Sequence, residues 1–234
     1  MMDLEERYRR LAEEVARCCQ TSGRNPDEVR IVAVSKTVGI DAVGHAVAAG
    51  VHDFGENRPE GLLEKCQAFP AETWHFIGNI QSRRIPDIVA HAALVHSLCQ
   101  PHHVDHIERA AAALGKVQDV LLEVNVSGEA SKEGLAPQEV AAMLECCGGK
   151  PHIRVRGLMT MAPQGDLAEA RHCFEGLAQL ADRMRQDFAG TPVGEGLHDL
   201  SMGMSEDWRE AVAAGATIIR LGRIIFDEGY RTPW

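Results

Sequence analysis

The chain predicts a single α/β unit, a closed (β/α)8 barrel of the TIM type with one extra helix in front. Three observations predict it. Eight short runs rich in β-branched residues alternate with Ala-rich stretches of helical period, and strands separated by helices pair in parallel through crossover connections. Eight strands close such a barrel, whose usual size of about 250 residues lies near the 234 present. No linker rich in Gly, Ser or Pro divides the chain, Gly148-Gly149 being only a short turn. A doubly wound open sheet would alternate in the same way, so closure also rests on what stands at the strand ends.

The elements follow in order. Residues 3–21 are apolar at Leu4, Tyr8, Leu11 and Val15, the stripe of an amphipathic helix. We assign 1–21 to this helix and 30–226 to the barrel. The first strand, 30–35 (RIVAVS), contains Ile31-Val32-Ala33-Val34, apolar on both faces as a strand roofed by helices should be. A helix at 41–49 precedes the second strand, 51–54 (VHDF), and the third is 73–76 (TWHF). The fourth, 93–96 (ALVH), leads into a helix at 101–114; the fifth, 119–125 (DVLLEVN), into one at 137–146. The sixth, 153–157 (IRVRG), precedes a long helix at 167–188. The seventh, 197–200 (LHDL), precedes a helix at 206–214, and the eighth is 217–221 (TIIRL).

Composition narrows the function. Hydrophobic residues make up 45% and charged residues 25%, ordinary globular usage. With 24 Lys and Arg against 34 Asp and Glu, the net charge is −10. That argues against nucleic acid or anionic membranes as partners, since both need a cationic surface. A single small phosphate ligand is compatible, because backbone amides and one Arg hold it locally. No window approaches eighteen uninterrupted apolar residues, and the start, MMDLEERYRR, lacks the apolar core of a signal peptide. The seven cysteines are odd in number and form no C-x-x-C pair. They read as reduced thiols of a cytoplasmic protein. His102, His103 and His106 read as a solvated helix face, with no metal site expected.

Ligand chemistry in such barrels collects at the C-terminal ends of the strands. Lys36 directly follows the first strand. Desolvation in a barrel mouth disfavours an ammonium, and a neutral amine attacks carbonyls to form a Schiff base. The loops after strands seven and eight commonly build a phosphate site with a short helix. Here they contain Leu200-Ser201-Met202-Gly203-Met204-Ser205 and Ile219-Arg220-Leu221-Gly222-Arg223. A Schiff-base lysine beside a phosphate cradle describes two ligand classes, a phosphorylated sugar in an aldolase-type barrel and pyridoxal 5′-phosphate (PLP).

Several stretches together carry a family resemblance: Ala33-Val34-Ser35-Lys36-Thr37, Phe54-Gly55-Glu56-Asn57, Trp74-His75-Phe76-Ile77-Gly78, Val124-Asn125-Val126-Ser127-Gly128-Glu129 with Ser131-Lys132-x-Gly134, and Arg156-Gly157-Leu158-Met159-Thr160-Met161. Two more are Leu200-Ser201-Met202-Gly203-Met204-Ser205-x-Asp207 and Gly215-Ala216-Thr217-x-x-Arg220-x-Gly222-x-x-Ile225-Phe226. The sequence resembles the pyridoxal phosphate homeostasis proteins (the YggS type), relatives of the N-terminal barrel of alanine racemase. The resemblance implies PLP as cofactor, held by Lys36 as a Schiff base. It implies that Ser201, Gly222 and the Arg223 amide hold the phosphate, that Arg220 faces the pyridine nitrogen, and that Asn57 and Met204 line the pocket. His75, ending a strand inside a matched motif, joins these cofactor-binding candidates, with a satisfied core histidine as the other reading.

A cationic guanidinium beside the pyridine nitrogen opposes its protonation and weakens the ring as an electron sink. In the racemases a β-rich domain follows the barrel and contributes a catalytic tyrosine; residues 227–234 leave no space for one. The expected function is therefore PLP binding in vitamin B6 homeostasis without catalytic turnover, in a monomer that supplies PLP-dependent apoenzymes. The alternative is a PLP-dependent amino-acid racemase or a class I aldolase. Lys132 is expected to be exposed, and Met202 and Met204 to pack. Asp227, where the family commonly has glycine, is expected to place a carboxylate near the barrel mouth.

Overall fold

The computed structural model describes residues 3–129 and 132–231; Ser131 of the matched motifs lies outside the described residues. Eight parallel strands close in sequence order into one barrel. They are β1 (Arg30–Val34), β2 (Asp53–Glu56), β3 (Thr73–Phe76), β4 (Leu94–Leu98), β5 (Gln118–Glu123), β6 (Ile153–Met159), β7 (Asp199–Ser201) and β8 (Ile218–Leu221). Each expected strand is present. The second and seventh begin two residues later than expected, because pairing starts at Asp53↔Thr73 and Gly157↔Asp199.

The helices are α1 (Leu4–Thr21), α2 (Ile40–Ala48), α3 (Pro59–Ala68), α4 (Ile85–His91), α5 (Pro101–Ala113), α6 (Val140–Gly148), α7 (Leu167–Asp187), α8 (Pro192–Gly196), α9 (Trp208–Ala213) and α10 (Arg223–Phe226). Sequence periodicity did not bring out α3, α4, α8 or α10. Three of them carry Pro in the first turn, at Pro59, Pro86 and Pro192, where its missing N–H would have had no partner anyway.

Two apolar layers hold the barrel. The larger lies between strands and helices, where Phe54 stacks on Trp74 at 5.1 Å between centroids and Phe76, Phe174 and Trp208 are fully buried. The smaller lies inside the barrel and consists of Val32, Leu94, Leu121, Met159 and Ile218. Strand alternation therefore turns Arg30, Val32 and Val34 inward along β1.

The helix after β8 has only four residues, so it cannot roof that strand. α1 takes its place, packing against α2, α9 and α10 and burying Leu11, Val15 and Cys19. Arg24 donates to Val212 O and Ala216 O at 2.9 and 2.8 Å, and Arg209 pairs with Glu14 at 2.7 Å. The leading helix is thus a member of the barrel's outer ring.

All seven cysteines are free thiols, and among the described residues no helix is long and apolar enough to cross a membrane. The three-histidine stretch corrects one expectation. His102 is exposed, but His103 is buried with Nε2 at 3.2 Å from Ser82 Oγ. The helical period turns His103 inward, toward the segment that leads into α4.

Candidate functional site

The site is built from the ends of β1, β2, β3, β6, β7 and β8. Behind β1 lies a buried polar knot. Ser35 Oγ donates to Glu56 Oε1 at 2.7 Å, and Lys65 Nζ donates to both Ser35 O, at 2.8 Å, and Glu56 Oε1. An ion pair this buried is retained only where its hydrogen bonds are made. It ties the end of β1 to the end of β2, from which Lys36 and Asn57 follow directly. β3 is held as closely: a Cβ on Gly78 would stand 2.0 Å from Asn57 O, so no other residue fits there.

The turn after β7 depends on Gly203, at φ +92°, where a Cβ would lie 2.5 Å from Ala211 Cβ. Met204 N donates to Asp207 Oδ1 at 2.5 Å, closing the turn. Ser205 Oγ accepts from Ile224 N at 3.3 Å, joining this turn to α10. At the end of β8, Arg220 is buried and donates to Ser201 Oγ at 2.7 Å and Thr160 O at 3.0 Å. Burial pulls its guanidinium down to about 10, with Asp207 and Glu123 acting the other way; it stays cationic at neutral pH. Burial also pushes the Glu123 carboxyl up to about 7 and raises that of Asp207.

These elements enclose a cavity of about 450 Å³. Six of the eight expected residues line it: Lys36, Asn57, Met204, Arg220, Gly222 and Arg223. Val34, Ile77, Met159 and Met161 supply apolar wall, and Thr37, Gln164 and Ser205 supply polar groups. β1 and β8 are paired neighbours, so Lys36 and the Gly222–Arg223 main chain share one side of the mouth rather than facing each other across it.

Two expected residues lie elsewhere, which corrects the sequence reading. Ser201 and His75 point into the barrel interior and are wholly buried. Ser201 Oγ meets His96 Nδ1 at 2.8 Å, while His75 bonds His96 at 2.9 Å and Asp53 at 3.1 Å. Ser201 is still within β7 and obeys its alternation, whereas Ser205 lies past the turn and reaches the cavity. The motif contained both serines, and only the strand's end point distinguishes them.

Lys36 is exposed, so the desolvation expected of it is absent. Lys132, expected to be exposed, is half-buried beside the mouth, 3.4 Å from Met161 O and 3.5 Å from Glu129. Met202 is buried in the core, as expected of it, and Met204 faces the cavity, as the resemblance implied rather than its default reading of packing. Asp227 is exposed, accepts from Gly229 N and stays off the cavity wall. Sequence reasoning did not single out Lys65; nine positions after Glu56, its signal was a lysine on the buried side of α3.

A wider groove of about 580 Å³ runs over Ser82, Ile85, Pro86, Ala113 and Leu114. It lies on the flank of α4 and α5, where no strand end reaches it.

Residues 8–228 match the family model described as alanine racemase, N-terminal domain. A pyridoxal phosphate homeostasis protein of Pseudomonas aeruginosa is 37% identical over 230 residues, covering 97% of this chain and 96% of the relative. The chain belongs to the pyridoxal phosphate homeostasis protein family. Among solved structures, PipY of Synechococcus elongatus, solved with PLP bound, is 32% identical at a TM-score of 0.78, covering 91% of this chain and 99% of PipY. An alanine racemase of Clostridium difficile, 11% identical, shares the fold at a TM-score of 0.73 over 95% of this chain and 60% of its own.

Proposed function

We propose that this chain binds pyridoxal 5′-phosphate at the barrel mouth, holds it on Lys36, and serves vitamin B6 homeostasis in the cytoplasm without turning substrate over. One observation carries the reading: Lys36, Arg220 and Arg223 line the cavity, and among the described residues no carboxylate does, in a chain of net charge −10. Such a wall favours an anion.

The donors fit this cofactor. Lys36 offers a primary amine, and Ser205 a hydroxyl, on neighbouring parts of one wall. Arg223 opens α10, so its N–H has no acceptor within the helix. Gly222 leaves the main chain beside Val34 bare, where a Cβ would stand 3.3 Å from Val34 O. Arg223 also reaches Glu206 at 2.6 Å, which steadies its side chain at the rim. When bound, the cofactor supplies an aldehyde that condenses with an amine and a ring that absorbs visible light. Arg220 presents a fixed positive charge at the floor of the site.

The absence of turnover is supported by the wall's composition. Among the described residues it carries one amine and two guanidiniums, but no imidazole, phenol, thiol or carboxyl. Proton exchange at both faces of an amino acid needs two positioned acid–base groups. The exposed Lys36 leaves the cofactor accessible to apoenzymes, the proposed recipients. Seven unpaired thiols support the cytoplasm as location, with burial pushing Cys99 up to about 11 and Cys147 to about 12. A monomer is the proposed working state, to be checked by light scattering.

The decisive experiment is borohydride reduction of protein incubated with PLP, followed by mapping of the adduct by mass. A pyridoxyl adduct on Lys36, and no uptake by Lys36→Ala, is the expected result. An adduct on another residue, or a colourless protein that takes up none, overturns the reading. Deuterium exchange at Cα of L-amino acids at ordinary enzymic rates would overturn its non-catalytic part.

A further inference from the structure

Behind the cavity, one polar run crosses the barrel interior. It begins at Arg220, whose charge is buried yet whose direct partners, Ser201 Oγ and Thr160 O, are both neutral. Desolvating a guanidinium is costly unless its hydrogen bonds are well placed, so its position depends on how firmly those two acceptors are held. Thr160 O is main chain. Ser201 Oγ is a rotor and needs fixing.

Donor and acceptor capacities decide how the rotor is fixed. Arg220 only donates, so Ser201 Oγ receives its N–H. The hydroxyl's own hydrogen has one other neighbour, His96 Nδ1 at 2.8 Å, which must then be bare. His96 therefore carries its hydrogen on Nε2 and donates it to His75 Nδ1 at 2.9 Å. His75 in turn carries its hydrogen on Nε2 and gives it to Asp53 Oδ1 at 3.1 Å. The reverse arrangement would leave the buried Ser201 hydrogen without an acceptor, at the cost of an unsatisfied polar group. Burial, helped by His75 and Arg220, holds His96 well below the usual imidazole range, which agrees with one bare ring nitrogen. The run ends at the opposite rim, where Asp53 is part-exposed with Arg30 at 3.6 Å.

The geometry points to Ser201, His96, His75 and Asp53 as positioning residues for Arg220, a one-way hydrogen-bond relay along the barrel that holds the guanidinium at the floor of the cavity. It goes beyond the binding site and rests, for its effect on the cofactor, on the reading that PLP occupies that cavity. None of the four touches the cavity itself.

The test has two arms. In ligand-free protein with 15N-labelled histidine, NMR should find both His75 and His96 with hydrogen on Nε2 and a bare Nδ1. In Ser201→Ala, His96 should lose that single tautomer. In the second arm, Ser201→Ala should bind PLP roughly tenfold more weakly, as for a lost hydrogen bond to a charged group, with a shifted visible band. Ser201→Thr, which keeps the hydroxyl, should restore both. A His96 bearing hydrogen on Nδ1 in the wild type overturns the relay, and that measurement stands even if Ser201→Ala fails to fold. Ser201→Ala that binds with wild-type affinity and spectrum also overturns it. A wild type that takes up no PLP sinks the proposed function instead, and leaves the tautomers to decide the relay.

Discussion

Lys65 carries its ammonium into the interior, where Glu56 and Ser35 O receive it, while Lys36 at the end of β1 keeps its own in solvent. The difference is partnership: a buried charge persists only where an opposite charge and hydrogen bonds replace water. Sequence reasoning drew attention to Lys36 because it follows a strand, and overlooked Lys65 because its partners come from two other elements. Glu123 is the complementary case, a buried carboxyl that Arg220 only partly compensates, raised from 4.5 to about 7. The sign follows from linkage. Between these values the unfolded chain has lost this proton while the folded chain keeps it, so rising pH favours unfolding. Its stabilising contribution is complete below about pH 4.5 and gone above about pH 7. Glu123→Gln should match the wild type in acid and exceed it by about 2–3 kcal/mol near pH 8. Urea unfolding across that window checks this; a stability difference independent of pH would show that the carboxyl is not held neutral.

At the scale of elements, the turn from β7 into α9 concentrates most of the site's constraints. Gly203 meets two demands at once, a left-handed φ and a contact with Ala211 that leaves no space for a Cβ. Gly203→Ala should therefore cost about 1–3 kcal/mol and shift Ser205, weakening PLP uptake. Calorimetry with a PLP titration checks both, and an unchanged melting temperature would contradict the argument. The motif made this turn visible in the sequence. It did not reveal which serine faces the cavity, because that depends on where β7 stops pairing with β6. The short helices α3 and α4 escaped periodicity for a related reason: few turns give little pattern, and their proline starts are signals only once the strands on either side are placed.

For the molecule as a whole, α1 completes the ring that α10 is too short to complete. Its stripe at Leu11 and Val15 was evident from spacing, and its partner was not. If α1 is part of the barrel, Leu11→Ala should cost about 2–4 kcal/mol and lower one cooperative transition for helix and barrel alike. Separate transitions in circular dichroism and tryptophan fluorescence, which reports on Trp74 and Trp208 deep in the barrel layers, would show α1 to be an independent appendage. The same scale explains a cationic cavity in a chain of charge −10: apart from the buried Glu56, Glu123 and Asp207 the acidic residues are at least part-exposed, while closure gathers three cations from the ends of β1 and β8 at one mouth.

By itself the sequence determined the number and order of the strands, six of the ten helices among the described residues, and six of the residues that gather at the mouth. Those properties are local, set by periodicity along the chain and by which residues end a strand. Only the tertiary structure decided that Ser201 and His75 turn inward, that Ser205 replaces Ser201 on the wall, and that Glu56 and Lys65 pair in the interior. Each of these depends on contacts between strands far apart in the chain, Ser201 meeting His96 across 105 positions. Side-chain direction is fixed by register and closure, and neither is a property of any one segment.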